Sequence, residues 1–146
     1  MAEPSGILDT LGGARYLGRK RGPVDLRELV RAGLPYQAAE FLLLESLGLA
    51  LDEAARLLAV SRRTLTRKRQ NPKERLGPAE SDRLYRLART LTLASEVLGD
   101  DAAAREWLKT PNRALGGDRP LDLLDTEPGV RAVEDVLDRA AWGDVG

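Results

Sequence analysis

The 146-residue chain contains no cysteine and no histidine. The first absence excludes a disulfide framework, a thiolate metal site and a Cys nucleophile. The second removes the commonest general acid/base, the commonest metal ligand and every Ser-His-Asp arrangement. Catalysis by Asp, Glu, Lys or Tyr stays open, for example by carboxylates such as Asp122 and Asp125, one helical turn apart. Such pairs are far more often surface caps, so no enzyme activity, metal or cofactor is expected. Aromatic residues are scarce at 4%, so the core must rest on Leu, Val and Ala, as in helical bundles. There is no apolar run of about 18 residues and no basic n-region followed by an h-region at the start. The expectation is a soluble, cytoplasmic protein with no membrane partner.

What is present is charge, unevenly spread. Acidic and basic side chains balance to zero overall, but residues 1–55 carry −2, residues 56–94 carry +8 and residues 95–146 carry −6. A basic middle and an acidic end suggest two partners of opposite polarity, the first of them nucleic acid. Solvated helix faces are the plain alternative.

No alternating strand pattern occurs, and the fold class expected is all-α. Residues 1–24 are Gly-rich, include Arg19-Lys20-Arg21, and read as a flexible arm holding at most one short helix. Asp25–Arg31 reads as a short helix ended by Gly33, and Pro35 opens another that runs to about Ser46. A turn over Asn71–Pro78 precedes a long helix capped by Ser81 or Asp82, with Leu84, Leu87, Ala88, Leu91, Ser95 and Leu98 on one buried face. A short helix ends at Trp107-Leu108. After a Pro/Gly-rich loop, Thr126 caps a last helix with Val130, Val133, Val136, Leu137 and Ala140 facing inward.

The central segment carries the sharpest local pattern. Leu51–Leu58 reads as a first helix with Ala54, Ala55 and Leu58 inward, Ala59-Val60-Ser61 as a turn, and Arg62–Arg69 as a second helix capped by Ser61. A small residue at Ala55 lets two helices cross closely, and four residues later the turn needs a residue able to adopt a left-handed conformation. Here that residue is Ala59. The pattern predicts a helix-turn-helix. Ser61, Arg62, Arg63, Thr64, Thr66, Arg67 and Lys68 are expected on its exposed side, where arginines can read guanine, threonines can touch bases or phosphates, and Lys68 or Arg69 can neutralise phosphate. An ordinary helical hairpin with a solvated basic face is the alternative.

The least generic stretch lies near the C-terminus: Trp107-Leu108, Pro111-Asn112, Ala114-Leu115-Gly116-Gly117, Pro120 through Leu124, Thr126, Gly129 and Val133. Read from the residues alone, it is a tight corner docking the last helix onto the long one, with Asn112 bonding its own backbone to hold the turn. The spacing of these residues resembles the toxin-binding domain of the Xre/MbcA/ParS antitoxin family. Upstream, Ser61-Arg62-Arg63-Thr64-Leu65, Arg67-Lys68, Leu76, Pro78 and Glu80 through Leu84 resemble the Xre-like helix-turn-helix of the same proteins. The resemblance runs from about Leu34 to Gly143.

The resemblance implies an antitoxin of a type II toxin–antitoxin system. Its partner would be a RES-domain toxin that consumes NAD, neutralised when the antitoxin covers its active site. A homodimer would also bind double-stranded operator DNA and repress the operon. On this basis residues 25–94 are the DNA-binding and dimerisation region and residues 95–146 the toxin-binding domain. Trp107, Pro111, Asn112, Leu115, Gly116, Gly117 and Pro120 would shape that domain, while Arg139, Trp142, Gly143 and Asp144 belong to a tail approaching the NAD pocket. A stand-alone transcription regulator whose C-terminal part senses a ligand or protein would share the DNA-binding residues, and a purely structural interaction protein would not bind DNA.

Overall fold

A computed structural model describes residues 4–18 and 23–143; Arg19-Lys20-Arg21 and Asp144 lie outside the described residues. The chain divides into two compact units between Ala88 and Arg89. Every regular element among the described residues is helical, as the sequence pattern predicts.

The first unit begins with α1 (Pro4–Thr10) and α2 (Ala14–Leu17). A flexible arm is therefore not what the structure has over 4–17. Ile7, Leu8, Leu11 and Leu17 are buried, and Tyr16 packs its ring on Phe41 at 6.1 Å between centroids. The glycines at 12 and 13, both at positive φ, turn the chain between the two short helices. They do not loosen it.

Next come α3 (Pro23–Ala32) and α4 (Tyr36–Ala39), the latter continuing as a π-helix over Glu40–Ser46. The wider winding is seen in the Leu47 N–H, which donates to the Leu42 carbonyl five residues back. The sequence predicts one uninterrupted helix from Pro35, and Pro35 in fact precedes it as the N-cap. Nothing in the residues of 40–46 explains the change of winding. Gly33 sits at φ 97 with its α-carbon against the Leu76 carbonyl, where a Cβ would overlap. That close approach allows Leu76 N–H to donate to Leu34 O at 2.8 Å and Tyr36 N–H to Glu74 O at 2.9 Å.

The helix-turn-helix consists of α5 (Leu51–Leu58) and α6 (Arg62–Arg69). Asp52 and Glu53 occupy the first turn of α5, where the helix dipole favours acid. Ala54, Ala55, Leu57, Leu58 and Leu65 form the seam. The turn is a Schellman motif: Ala59 is left-handed (φ 56, ψ 42), its N–H donates to Arg56 O, and Val60 N–H donates to Ala55 O. Ala59 is the one positive-φ residue other than glycine among the described residues. An L-residue held there pays roughly 1 kcal/mol or more. Ala59→Gly should therefore raise the unfolding midpoint by about 3 °C, and an unchanged or lower midpoint in a thermal melt would contradict the strain.

Helix α7 (Pro78–Leu98) contributes its first half to one unit and its second half to the other. It starts at Pro78, in the first turn where proline's missing N–H does no harm, and not at Ser81 or Asp82. Ser81 lies fully buried inside it, and its Oγ accepts the Leu34 N–H at 2.8 Å. Leu84, Leu87, Ala88 and Leu91 are buried as predicted, but Leu98 at the helix end is exposed.

The second unit adds α8 (Asp101–Leu108), 3-10 turns at Arg113–Leu115 and Pro120–Leu123, and α9 (Glu127–Ala141). Side chains set the starts of three of these elements. Asp100 accepts from Ala103 N–H, Asn112 from Ala114 N–H and Thr126 from Gly129 N–H. Leu108, Leu121, Leu124, Val130, Val133 and Leu137 form the core. Val136 is half-buried and Ala140 is exposed, so the inward face of α9 ends a turn earlier than predicted. A bidentate pair between Arg89 and Glu134, at 2.9 and 3.2 Å, ties α9 to α7.

Candidate nucleic-acid and toxin interfaces

The exposed side of α6 forms an open depression of about 620 Å³ lined by Arg62, Arg63, Thr64, Thr66, Arg67 and Gln70. Ser61 caps the helix, its Oγ accepting Thr64 N–H at 3.0 Å, and the Thr66 hydroxyl donates to the Arg62 carbonyl. Five of the seven residues predicted for this face thus line one surface, with Ser61 exposed at the start of the helix. Gln70 was not anticipated, although it lies seven residues after Arg63 and so repeats along the same side of the helix.

Lys68 is the exception. It is buried at 7% exposure, and its Nζ donates to Glu74 Oε1 and to the Arg75 carbonyl, both at 3.2 Å. Its ammonium is consumed inside the protein and cannot serve as a phosphate contact. Lys68 follows Leu65 by three residues, which puts both on the inward side of α6.

The cations of α6 differ in what holds them. Arg62 approaches Asp52 at 3.4 Å, both side chains being well exposed. Arg67 donates to Glu74 at 3.2 Å, and Arg69 to Glu40 at 2.8 Å. Arg63 has no acidic partner among the described residues. The Lys68 hydrogen bond keeps the Glu74 carboxyl below its usual range; partial burial opposes that shift and the Arg67 bond reinforces it. Glu74 is therefore ionised at neutral pH. Nearby, burial pushes the Tyr36 phenol up to about 12, with the Glu40 charge adding to the effect and Arg69 opposing it. Its hydroxyl has no hydrogen-bond partner among the described residues, and it adds no charge to the basic surface.

In the second unit the corner after α8 closes on Asn112. The Asn112 N–H donates to Asp118 O, and the Asn112 carbonyl accepts from Leu115 and Gly117. Gly116 and Gly117, at φ 72 and 89, face open space, so it is their backbone conformation that requires glycine. Trp107 and Leu115 are half-buried, Pro111 is exposed and Pro120 is buried. Pro120 therefore supports the loop from inside. Asp122, one of the two carboxylates considered for catalysis, is held bidentately by Arg119 at 2.9 and 2.7 Å. At the far end of α9, Arg139 is exposed and Trp142, just past the last helical residue, is 89% exposed, with Gly143 following at φ 78. No group of side chains able to hold a metal ion occurs among the described residues, and no helix among them is long and apolar enough to cross a membrane.

A helix-turn-helix unit followed by a small helical domain with a fixed corner and an aromatic helix end is a restricted combination. Residues 25–89 match the Antitoxin Xre-like helix-turn-helix domain, and residues 93–143 match the Antitoxin Xre/MbcA/ParS C-terminal toxin-binding domain. The chain belongs to the Xre/MbcA/ParS antitoxin family. It is 36% identical over 92 residues to Antitoxin Xre of Yersinia enterocolitica, covering 62% of each chain. It is 38% identical over 64 residues to Antitoxin Xre of Pseudomonas putida, covering 44% of this chain and 40% of that one. The chain thus spans less than two thirds of the length of either curated relative. Among solved structures, a chain of the M. tuberculosis MbcT-MbcA toxin–antitoxin complex superposes with a TM-score of 0.51 at 28% identity, covering 70% of this chain and 90% of that chain.

Proposed function

We propose that this protein is the antitoxin of a bacterial type II toxin–antitoxin pair, neutralising its toxin through residues 95–146 and binding operator DNA through α6. The observation that carries the first half is Trp142. A large aromatic side chain left almost wholly in water at a helix end, inside a segment related to a toxin-binding domain, has the character of an interface anchor. The likeness to a chain from the MbcT-MbcA toxin–antitoxin complex supports the same reading. The partner is a RES-domain toxin that consumes NAD, and residues 139–146 cover the entrance to its active site. The net charge of −6 over 95–146 suits a surface evolved to bind a dinucleotide's phosphates.

For the second half, the carrying feature is the arginine- and threonine-lined face of α6, suited to the major groove. Residues 25–94 dimerise and present two such helices to a two-fold operator, so that the cytoplasmic complex represses its own operon.

The pairing is tested by co-expression with the product of the adjacent gene. A stable complex and rescued growth are expected, while failure to co-purify with a RES-type product would overturn it. The DNA reading is tested by Arg63→Ala combined with Arg67→Ala. Affinity for the operator should fall roughly a hundredfold at fixed salt, and unchanged gel-shift affinity would sink the assignment.

A further inference from the structure

Glu74, at the edge of the basic face, is held through both its backbone and its side chain. Its carbonyl accepts the Tyr36 N–H at 2.9 Å, and its own N–H donates to Asn71 O at 2.9 Å. Its Oε1 accepts from the buried Lys68, whose Nζ is also bonded to the Arg75 carbonyl. Backbone and side chain are thus fixed from both ends. The same Oε1 accepts from Nη1 of Arg67, which is 61% exposed and lines the depression on α6. One guanidinium N–H is used, and the remaining donors of the planar fork are left for a ligand. The Asp52–Arg62 contact lacks these features. It is longer, both side chains are more than 60% exposed, and solvent screens it.

We propose that Glu74 is a positioning residue for DNA recognition, one that holds the Arg67 guanidinium in a fixed direction so that it reads a base edge and does not merely attract phosphate. The inference rests on the DNA-binding reading of α6. A long arginine that must be immobilised on binding loses side-chain entropy, and one already immobilised by a rigid carboxylate loses less. Bidentate recognition of guanine further requires the fork to lie in a defined plane. The carboxylate repels nearby phosphates, so its presence beside a nucleic-acid surface lowers general affinity. Its effect is therefore expected in selectivity.

The test uses the full chain and two duplexes: one enriched from a random library by the wild-type protein, and a scrambled duplex of equal composition. Affinities are measured at one salt concentration. Glu74→Gln should reduce the ratio of the two affinities about tenfold, with binding to the scrambled duplex equal or tighter. Arg67→Ala should reduce the ratio similarly, and adding Glu74→Gln to it should lower the ratio no further. Glu74→Gln alone leaves Lys68 buried without its counter-charge, which threatens folding. Lys68→Met with Glu74→Gln removes both charges together and must lower the ratio as well. Equal tightening on both duplexes, or a loss that adds fully to that of Arg67→Ala, overturns the positioning role. A wild-type chain that enriches no sequence and shows no salt-dependent binding overturns the DNA-binding reading itself, a result distinct from either.

Discussion

Removal of Ala141–Gly146 is expected to abolish neutralisation of the toxin while leaving the folded domain intact. Burial along α9 ends at Leu137, and Ala140, Ala141, Trp142 and Gly143 are all exposed, so among the described residues the deletion takes no side chain from the core. What is lost among the described residues is backbone bonding at the helix end, where Trp142 N–H donates to the Asp138 and Arg139 carbonyls and Gly143 N–H to the Ala140 carbonyl. The stability change should stay within about 1 kcal/mol. Binding should suffer far more, because a tryptophan at the centre of an interface commonly contributes 2 kcal/mol or more, roughly thirtyfold in affinity. Trp142→Ala should reproduce most of the loss. Growth rescue and calorimetric titration against the co-purified toxin provide the measurements, and full protection by the truncated chain would refute the role assigned to the tail.

The second large effect concerns Gly129, whose substitution separates two forces of opposite sign. The residue lies in the first turn of α9, where alanine would ordinarily be favoured over glycine by about 1 kcal/mol. A Cβ placed there would overlap the backbone carbonyl of Leu123, which cannot rotate away as a side-chain tip could. Gly129 N–H also serves the Thr126 cap at 3.1 Å, so a shift that relieved the overlap would strain the cap. Gly129→Ala should destabilise by about 2 kcal/mol, lowering the thermal midpoint by about 6 °C. A raised midpoint would mean that helix propensity outweighs the contact.

Several local signals are legible in the sequence because each depends on residues close along the chain. The left-handed Ala59, the Ser61 and Thr126 caps and the Asn112 turn are all set by groups within six residues of one another. The exposed arginine–threonine face followed from a simple 3.6-residue period. The misreadings arise where burial or a partner outside the helix decides the outcome. Ser81 looks like a cap until Leu34, 47 residues earlier, presents its N–H to it. Lys68 looks like a surface cation because neither Glu74 nor the Arg75 carbonyl is visible on a helical wheel, although its spacing from Leu65 was a usable sign. The N-terminal glycines suggested looseness, whereas Ile7, Leu8, Leu11 and Leu17 supply enough apolar surface to fold 4–17 onto the first unit. The burial limit of α9 was overextended by one turn because small alanines fit either environment.

The solvent-facing position of Trp142 also has an optical consequence. The chain has only two tryptophans, and Trp107 is half-buried while Trp142 is almost bare. Their indole emissions therefore report different surroundings, long-wavelength and readily quenched by iodide for Trp142, shorter and shielded for Trp107. Anything that engulfs the end of α9 would register as a blue shift of one component against the steady signal of the other, without a label being attached.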